Sequence, residues 1–173
     1  MKRKVFSAIL LLITLLNMAF IFYHSAKNAE SSLGESKKIA NTIVATVKGE
    51  DKSVGKELEN IEYRQAVNRM NKRMRDCLHA LEYFPMGFCL TLLFAINLKG
   101  KHKVITSSVA ALGISLLYAV SDEVHQHFVP GRTFQLIDIA HDAMGFCAGT
   151  ALAAIVVFAY GYFTSAAKKT KHI

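Results

Sequence analysis

Ser121-Asp122-Glu123-Val124-His125-Gln126-His127-Phe128-Val129-Pro130-Gly131-Arg132, with Asp138 and Asp142 beyond it, stands between the apolar runs Val104–Val120 and Leu136–Phe163. A helix crosses hydrocarbon with about 20 mostly apolar residues, roughly 17 to 25, so the two runs read as membrane helices joined by a short charged connection. The first run is near the lower limit, and its helix is expected to continue through Ser121-Asp122-Glu123. The second exceeds the requirement, so one end should project into the interface. A charge at the bilayer centre costs about 2.5–3.5 kcal/mol, and such groups normally face a partner, a cavity or a headgroup. Function is therefore to be sought in this cluster.

Working outward, two more apolar runs, Val5–Tyr23 and Leu78–Leu98, precede it, and the hydrophobic residues, 52% of the chain, gather in these four segments instead of being spread along it as in a soluble domain. The expected fold is all-α: a single polytopic membrane domain over residues 1–173 with spans at 5–23, 78–98, 104–120 and 136–163. The first run, with Lys and Arg before it, resembles a signal peptide, but its apolar core is longer than usual and no small-x-small site follows it. It reads as an uncleaved anchor. Basic residues gather in cytoplasmic flanks, here Met1-Lys2-Arg3-Lys4, Lys99-Gly100-Lys101-His102-Lys103 and Lys168-Lys169-Thr170-Lys171-His172. Four spans of a plasma-membrane protein with both termini in the cytoplasm satisfy all three. The formal net charge of +8 is then topological signal and attraction to anionic lipid. No nucleic-acid module is recognisable, and no nucleic-acid partner is expected.

That topology puts residues 24–76 outside. Ile39, Ile43, Val44 and Val47 recur at helical spacing, Lys48-Gly49-Glu50-Asp51-Lys52 breaks the pattern, and Leu58, Ile61, Met70 and Met74 resume it. Two amphipathic helices are predicted. The second carries Arg64, Arg69, Lys72, Arg73 and Arg75, and it either lies along the headgroups or packs as a solvated helix on the spans. Cys77, Cys89 and Cys147 lack CxxC spacing, so neither a zinc site nor a disulfide framework is indicated; they read as buried small apolar side chains.

Three polar sets reach one leaflet in this topology: His79, Glu82 and Tyr83 at the start of the second span, Asp122, Glu123 and Gln126 at the end of the third, Asp138 and Asp142 at the start of the fourth. His79 and Glu82, Asp122 and Gln126, and Asp138 and Asp142 stand three or four residues apart, so each pair shares a helical face. A common pocket is predicted. Pro130-Gly131 suits the centre of a type II turn, which would bring Arg132 back toward the acids, either as a structural ion pair or as a bidentate grip on an anionic headgroup. Gly145, Gly149 and Ala153 make a small-residue stripe for packing within the chain or for association with a second copy. His125-x-His127 cannot share one helical face and no HExxH, CxxC or EF-hand pattern occurs, so no metal and no cofactor are expected. Ser121 lacks the nucleophile elbow of a hydrolase.

At these residues the chain resembles the VanZ-like membrane proteins, named for an accessory protein of glycopeptide resistance in the envelope of Gram-positive bacteria. Asp122-Glu123-x-x-Gln126, Pro130-Gly131-Arg132 and Asp138-x-x-x-Asp142-x-x-Gly145-x-x-x-Gly149 are similar to that family's D-E-x-x-Q, P-G-R and D-x-x-x-N-x-x-G-x-x-x-G. His79-x-x-Glu82-Tyr83 resembles its second-span motif. Phe22-Tyr23-His24-Ser25, with Ser32 and Ser36 beyond, resembles its exit from the first span. Asp142 stands where the family often has Asn, and Gly49–Arg75 has no counterpart motif. The resemblance implies a four-span protein associated in some members with reduced susceptibility to teicoplanin-like antibiotics.

Three uses of the cluster stay open at this point. In the first, the protein is not an enzyme and binds an envelope lipid or a glycopeptide-related ligand, with a cell-wall precursor or lipid headgroup as possible partner, through a functional cluster of His79, Glu82, Tyr83, Asp122, Glu123, Gln126, Arg132, Asp138 and Asp142. In the second, it modifies such a lipid, with Glu82 or Asp122 as general base, His79 as proton carrier and Arg132 stabilising an oxyanion. In the third, the chain is a packing element of a larger assembly. The absence of a recognisable catalytic motif favours the first.

Overall fold

A computed structural model describes residues 2–26, 29–48, 61–100 and 102–170. The elements are α1 (Lys2–Ser25), α2 (Ala29–Lys48), α3 (Ile61–Asn97), α4 (Lys103–His127) and α5 (Leu136–Thr170), with no strand among the described residues. Helices α1, α3, α4 and α5 are long and apolar enough to cross a membrane. Helices are the natural solution there, because each backbone N–H and C=O must be bonded within its own segment when no water is at hand. Their outward faces carry Leu12, Leu16, Leu117, Ile155 and Phe158, all exposed. An apolar surface of that extent has no place in water and suits lipid.

Helix α3 is the hub and packs against each of the others, most extensively α5. Along that contact Gly145 lies on the backbone of Ala80, Gly149 on that of Phe84, and Gly87 on that of Phe146. A side chain at any of the three would hold the parallel helices apart, so the glycine stripe makes its close approach within the chain. A second stripe of small buried residues, Ser107, Ala111, Ser115 and Ala119, runs up α4 and ends at Asp122, Glu123 and Gln126. Tyr83, Met86, Leu90, Phe146 and Ile21 fill the core between them. Polar bonds set the height of α1: Arg3 Nη2 donates to the Asn97 carbonyl at 3.1 Å, Asn17 Nδ2 to the Glu82 carbonyl at 3.1 Å, and Tyr118 Oη to the Met18 carbonyl at 2.6 Å.

Several expectations change. The second amphipathic stretch is not a separate helix but the first half of α3, which runs 37 residues without interruption, roughly 55 Å at 1.5 Å per residue against about 30 Å of hydrocarbon. No Gly or Pro stands between Ile61 and Leu78 to end it, so this part continues the axis of the span instead of lying along the headgroups. Pro85 sits deeper and removes one donor, the partner of the Leu81 carbonyl. The first amphipathic helix is α2, whose buried face is Ser36, Ala40, Val44 and Ala45. Ile39 is half exposed, because the alanines let the helix sit closer to Tyr63 and Val67 of α3, where Tyr63 Oη bonds Asn41 Oδ1 at 2.8 Å. Only Cys89 of the three cysteines is buried; Cys77 and Cys147 occur on outward helical faces. Gly49–Lys52 and Leu58 lie outside the described residues.

Candidate functional site

The charged connection folds tightly. After α4 ends at His127, the Phe128 N–H bonds the His125 carbonyl and the Val129 N–H that of Gln126. Pro130 and Gly131 then occupy the centre of a type II turn: Gly131 has φ +79° and the Arg132 N–H bonds the Val129 carbonyl at 3.1 Å. The turn brings Arg132 over the end of α4, where its Nη1 donates to Gln126 Oε1 at 2.8 Å. Gln126 Nε2 in turn donates to Asp122 Oδ2 at 2.9 Å, and the Ser25 hydroxyl donates to Asp122 Oδ1 at 2.5 Å. Arg132 is thus tied to Asp122 through one amide, and both oxygens of the buried carboxylate are engaged. Burial, and secondly the neighbouring Arg75, pull the Arg132 guanidinium below its ordinary value while Asp122, Glu123 and Asp138 pull it up; a guanidinium stays cationic in such surroundings.

Helix α3 supplies the opposite wall. His79 Nδ1 is 3.2 Å from Asp142 Oδ1, and Glu82 Oε1 is 2.9 Å from His24 Nδ1 at the end of α1. The i, i+3 pair therefore serves two partners, one on α5 and one on α1. Tyr83 is wholly buried beneath them among Tyr118 and Phe146, and its hydroxyl has no partner among the described residues. It belongs to the core, within electrostatic reach of Asp122, Asp142 and Glu82.

A cavity of about 210 Å³ opens between these walls, lined by His79 and Glu82, by Asp122, Gln126 and Arg132, and by His24, Ser25, Ser36 and Arg75 with the apolar Ile39, Met74 and Leu78. Five of the nine cluster residues share it. The other four do different work. Asp142 stands behind His79; Tyr83 is in the core; Asp138 borders a neighbouring cavity. Glu123 accepts the backbone N–H of Gln135, just before α5, at 2.6 Å. That bond closes a backbone donor at a helix start, so Glu123→Ala is expected to lower stability by about 1–2 kcal/mol, read as a fall in thermal midpoint in detergent. An unchanged midpoint would remove Glu123 from this structural role.

Spacing alone did not single out His24, Ser25, Ser36 or Arg75. His24 and Ser25 close the first span at the level where the other polar sets gather, and the aromatic-and-serine exit motif held both. Arg75 was visible as charge only, because its place depends on α3 continuing beyond the span. Among the described residues, no three side chains of His, Cys, Asp or Glu converge as a metal site.

No curated protein and no solved structure matches this sequence. The model of one protein family, described as VanZ/LLP1, matches residues 9–158, a range that takes in every residue of the cavity. The chain belongs to the VanZ/LLP1 family.

Proposed function

We propose that this protein lies in the plasma membrane with both termini in the cytoplasm, binds the polar headgroup of an envelope lipid or lipid-linked cell-wall precursor from the outer leaflet, and thereby lowers susceptibility to teicoplanin-like glycopeptides. The observation that carries the reading is the hold on Arg132: a cation fixed through Gln126 to a buried carboxylate, at a cavity where α1 and α4 end. Its fork suits the oxygens of a phosphate or carboxylate. Binding is favoured over turnover because Ser25, a cavity hydroxyl beside a carboxylate, already serves as one of two donors that hold Asp122 in place.

One contact supports a second reading, a membrane-embedded enzyme acting on such a lipid. His79 borders the cavity with Asp142 behind it at 3.2 Å, the arrangement of a base with an orienting carboxylate.

Expression in a glycopeptide-susceptible Gram-positive host, at matched membrane abundance, tests the first reading. Wild type is expected to raise the inhibitory concentration of teicoplanin, and Arg132→Ala and Asp122→Asn to abolish the rise. With the purified protein in phosphatidylcholine nanodiscs, Arg132→Ala should weaken retention of added phosphatidic acid about tenfold or more, the worth of a charge-assisted hydrogen bond. Equal protection by all three chains would make the cluster structural. Turnover of extracted envelope lipids, lost in His79→Ala, would favour the enzyme.

A further inference from the structure

The first half of α3 carries bases without acids: from Tyr63 to Arg75 the sequence holds five Lys or Arg and no Asp or Glu. Tyr63 and Val67, with Met70 and Met74, pack toward α2, so helical spacing leaves Arg64, Asn68, Arg69, Lys72 and Arg73 on the other side, all exposed. None of these four cations makes an ion pair with a described residue. Asp76, the first acid beyond them, faces His141 of α5 at 3.7 Å. A helix that is only solvated alternates its signs, because like charges three or four residues apart repel. Arg69 instead has Lys72 and Arg73 at those spacings on one side and Gln65 and Ala66 on the other. An anion spanning the three cations offsets their repulsion. The exposed face has no apolar centre, whereas protein interfaces are apolar and aromatic at their core and poor in lysine. It suits a polyanion and not a folded protein.

Height separates two such occupants, a lipid surface and a polymer. Counting back from Asn97, where α3 ends, about 20 residues of hydrocarbon reach Leu78. At 1.5 Å per residue Arg73 stands about 7 Å above that level, Arg69 about 14 Å and Arg64 about 21 Å. Headgroups fill only about the first 5–8 Å, and their charge is screened over about 8 Å. A planar lipid surface therefore reaches the lowest of the cations, while a chain of anions running outward reaches all four. Asp138 of α5 borders a space with Lys72; since Gly145 lies on Ala80, it stands level with Arg73, below Arg69 and Arg64.

We propose that the first half of α3 is a docking surface for a polyanion outside the membrane, a polymer of repeated anionic groups laid along Arg64, Arg69, Lys72 and Arg73. This surface is separate from the cavity at Arg132. Of the reading above it takes only the placement of residues 24–76 outside the cell.

The full chain in phosphatidylcholine nanodiscs, titrated with long-chain polyphosphate and with inorganic phosphate, tests it. Wild type is expected to bind the polymer about a hundredfold or more tighter than the single ion, as linked contacts do, with affinity falling steeply as salt rises. Arg69→Gln with Arg73→Gln should weaken polymer binding about tenfold or more, the worth of two cations facing anions. The thermal midpoint of that variant should be unchanged or higher, because a like-charge pair is gone. Lys99→Gln with Lys103→Gln removes as much charge from the opposite end of the bundle, where screening isolates it, and should change binding by no more than about twofold. Equal loss in the two double variants, or none in the first, would overturn the docking surface. So would polymer binding that is abolished in phosphatidylglycerol nanodiscs, which would give this face to lipid. Arg64→Cys tests the placement apart from the docking: a membrane-impermeant maleimide should label it in intact cells beyond the wild-type level. Labelling only after permeabilisation would overturn the outward placement on which both readings rest, whereas labelling in intact cells without polymer binding would overturn the docking surface alone.

Discussion

Gly149→Leu is expected to destroy the bundle. A Cβ at position 149 would overlap the Phe84 carbonyl oxygen and stand 2.9 Å from the Phe88 nitrogen. These are backbone atoms of α3, which no rotamer change can move. Helix α3 could retreat only by giving up the matching contacts of Gly145 with Ala80 and of Gly87 with Phe146, and with them the height at which His79 meets Asp142. Overpacking a fitted interior costs about 1–3 kcal/mol, and a clash between two backbones belongs at the upper end or beyond. The expected result is a large fall in thermal midpoint by circular dichroism in detergent, with little protein left in the membrane. Gly161→Leu, on the same helix with nothing within 4 Å of its added Cβ, should leave the midpoint nearly unchanged. Similar midpoints for the two variants would show that the α3–α5 contact does not hold the fold.

Asp122→Leu is expected to have the second-largest effect, on stability and on binding together. The carboxylate is 5% exposed and accepts from Ser25 and from Gln126. A leucine there leaves both donors without their acceptor, and each buried unsatisfied group costs about 1–3 kcal/mol. Ser25 can turn to a carbonyl of its own helix, so about 3 kcal/mol in all is the expected loss. Gln126 also loses the bond that orients it, and Arg132 loses its anchor. Asp122→Asn keeps the shape and one acceptor oxygen, so it should cost only about 1 kcal/mol while still weakening phosphatidic acid retention. A double-mutant cycle of Ser25→Ala with Asp122→Asn isolates the bond between α1 and α4; coupling near zero would mean the two residues do not act as a pair.

The cluster was legible in outline because local spacing carries part of it. Asp122 and Gln126, four residues apart on α4, do bond each other, and Pro130-Gly131 does make the turn that returns Arg132. Residues on different helices were not legible in the same way. Nothing in the spacing of His79 and Glu82 says that one meets Asp142 and the other His24, or that Glu123, adjacent to Asp122, turns away to the backbone before α5. Asp138 and Asp142 share a face, yet Asp138 borders the neighbouring cavity while Asp142 is buried behind His79.

The sequence by itself determined that this is a bundle of long helices suited to a membrane, where the charged connection falls, and which ends of the helices carry polar side chains. These follow from run length and from 3.6-residue periodicity, since a segment in hydrocarbon must satisfy its own backbone. Only the tertiary structure decided that the basic stretch before the second span belongs to one continuous α3, that Arg75 joins Arg132, and that Ser25 holds Asp122. Those pairings depend on the rotation and height of each helix, set by backbone contacts at Gly87, Gly145 and Gly149 and by the bonds of Asn17 and Tyr118 to carbonyls of neighbouring helices. Contacts between residues far apart in the chain leave no periodic trace in it.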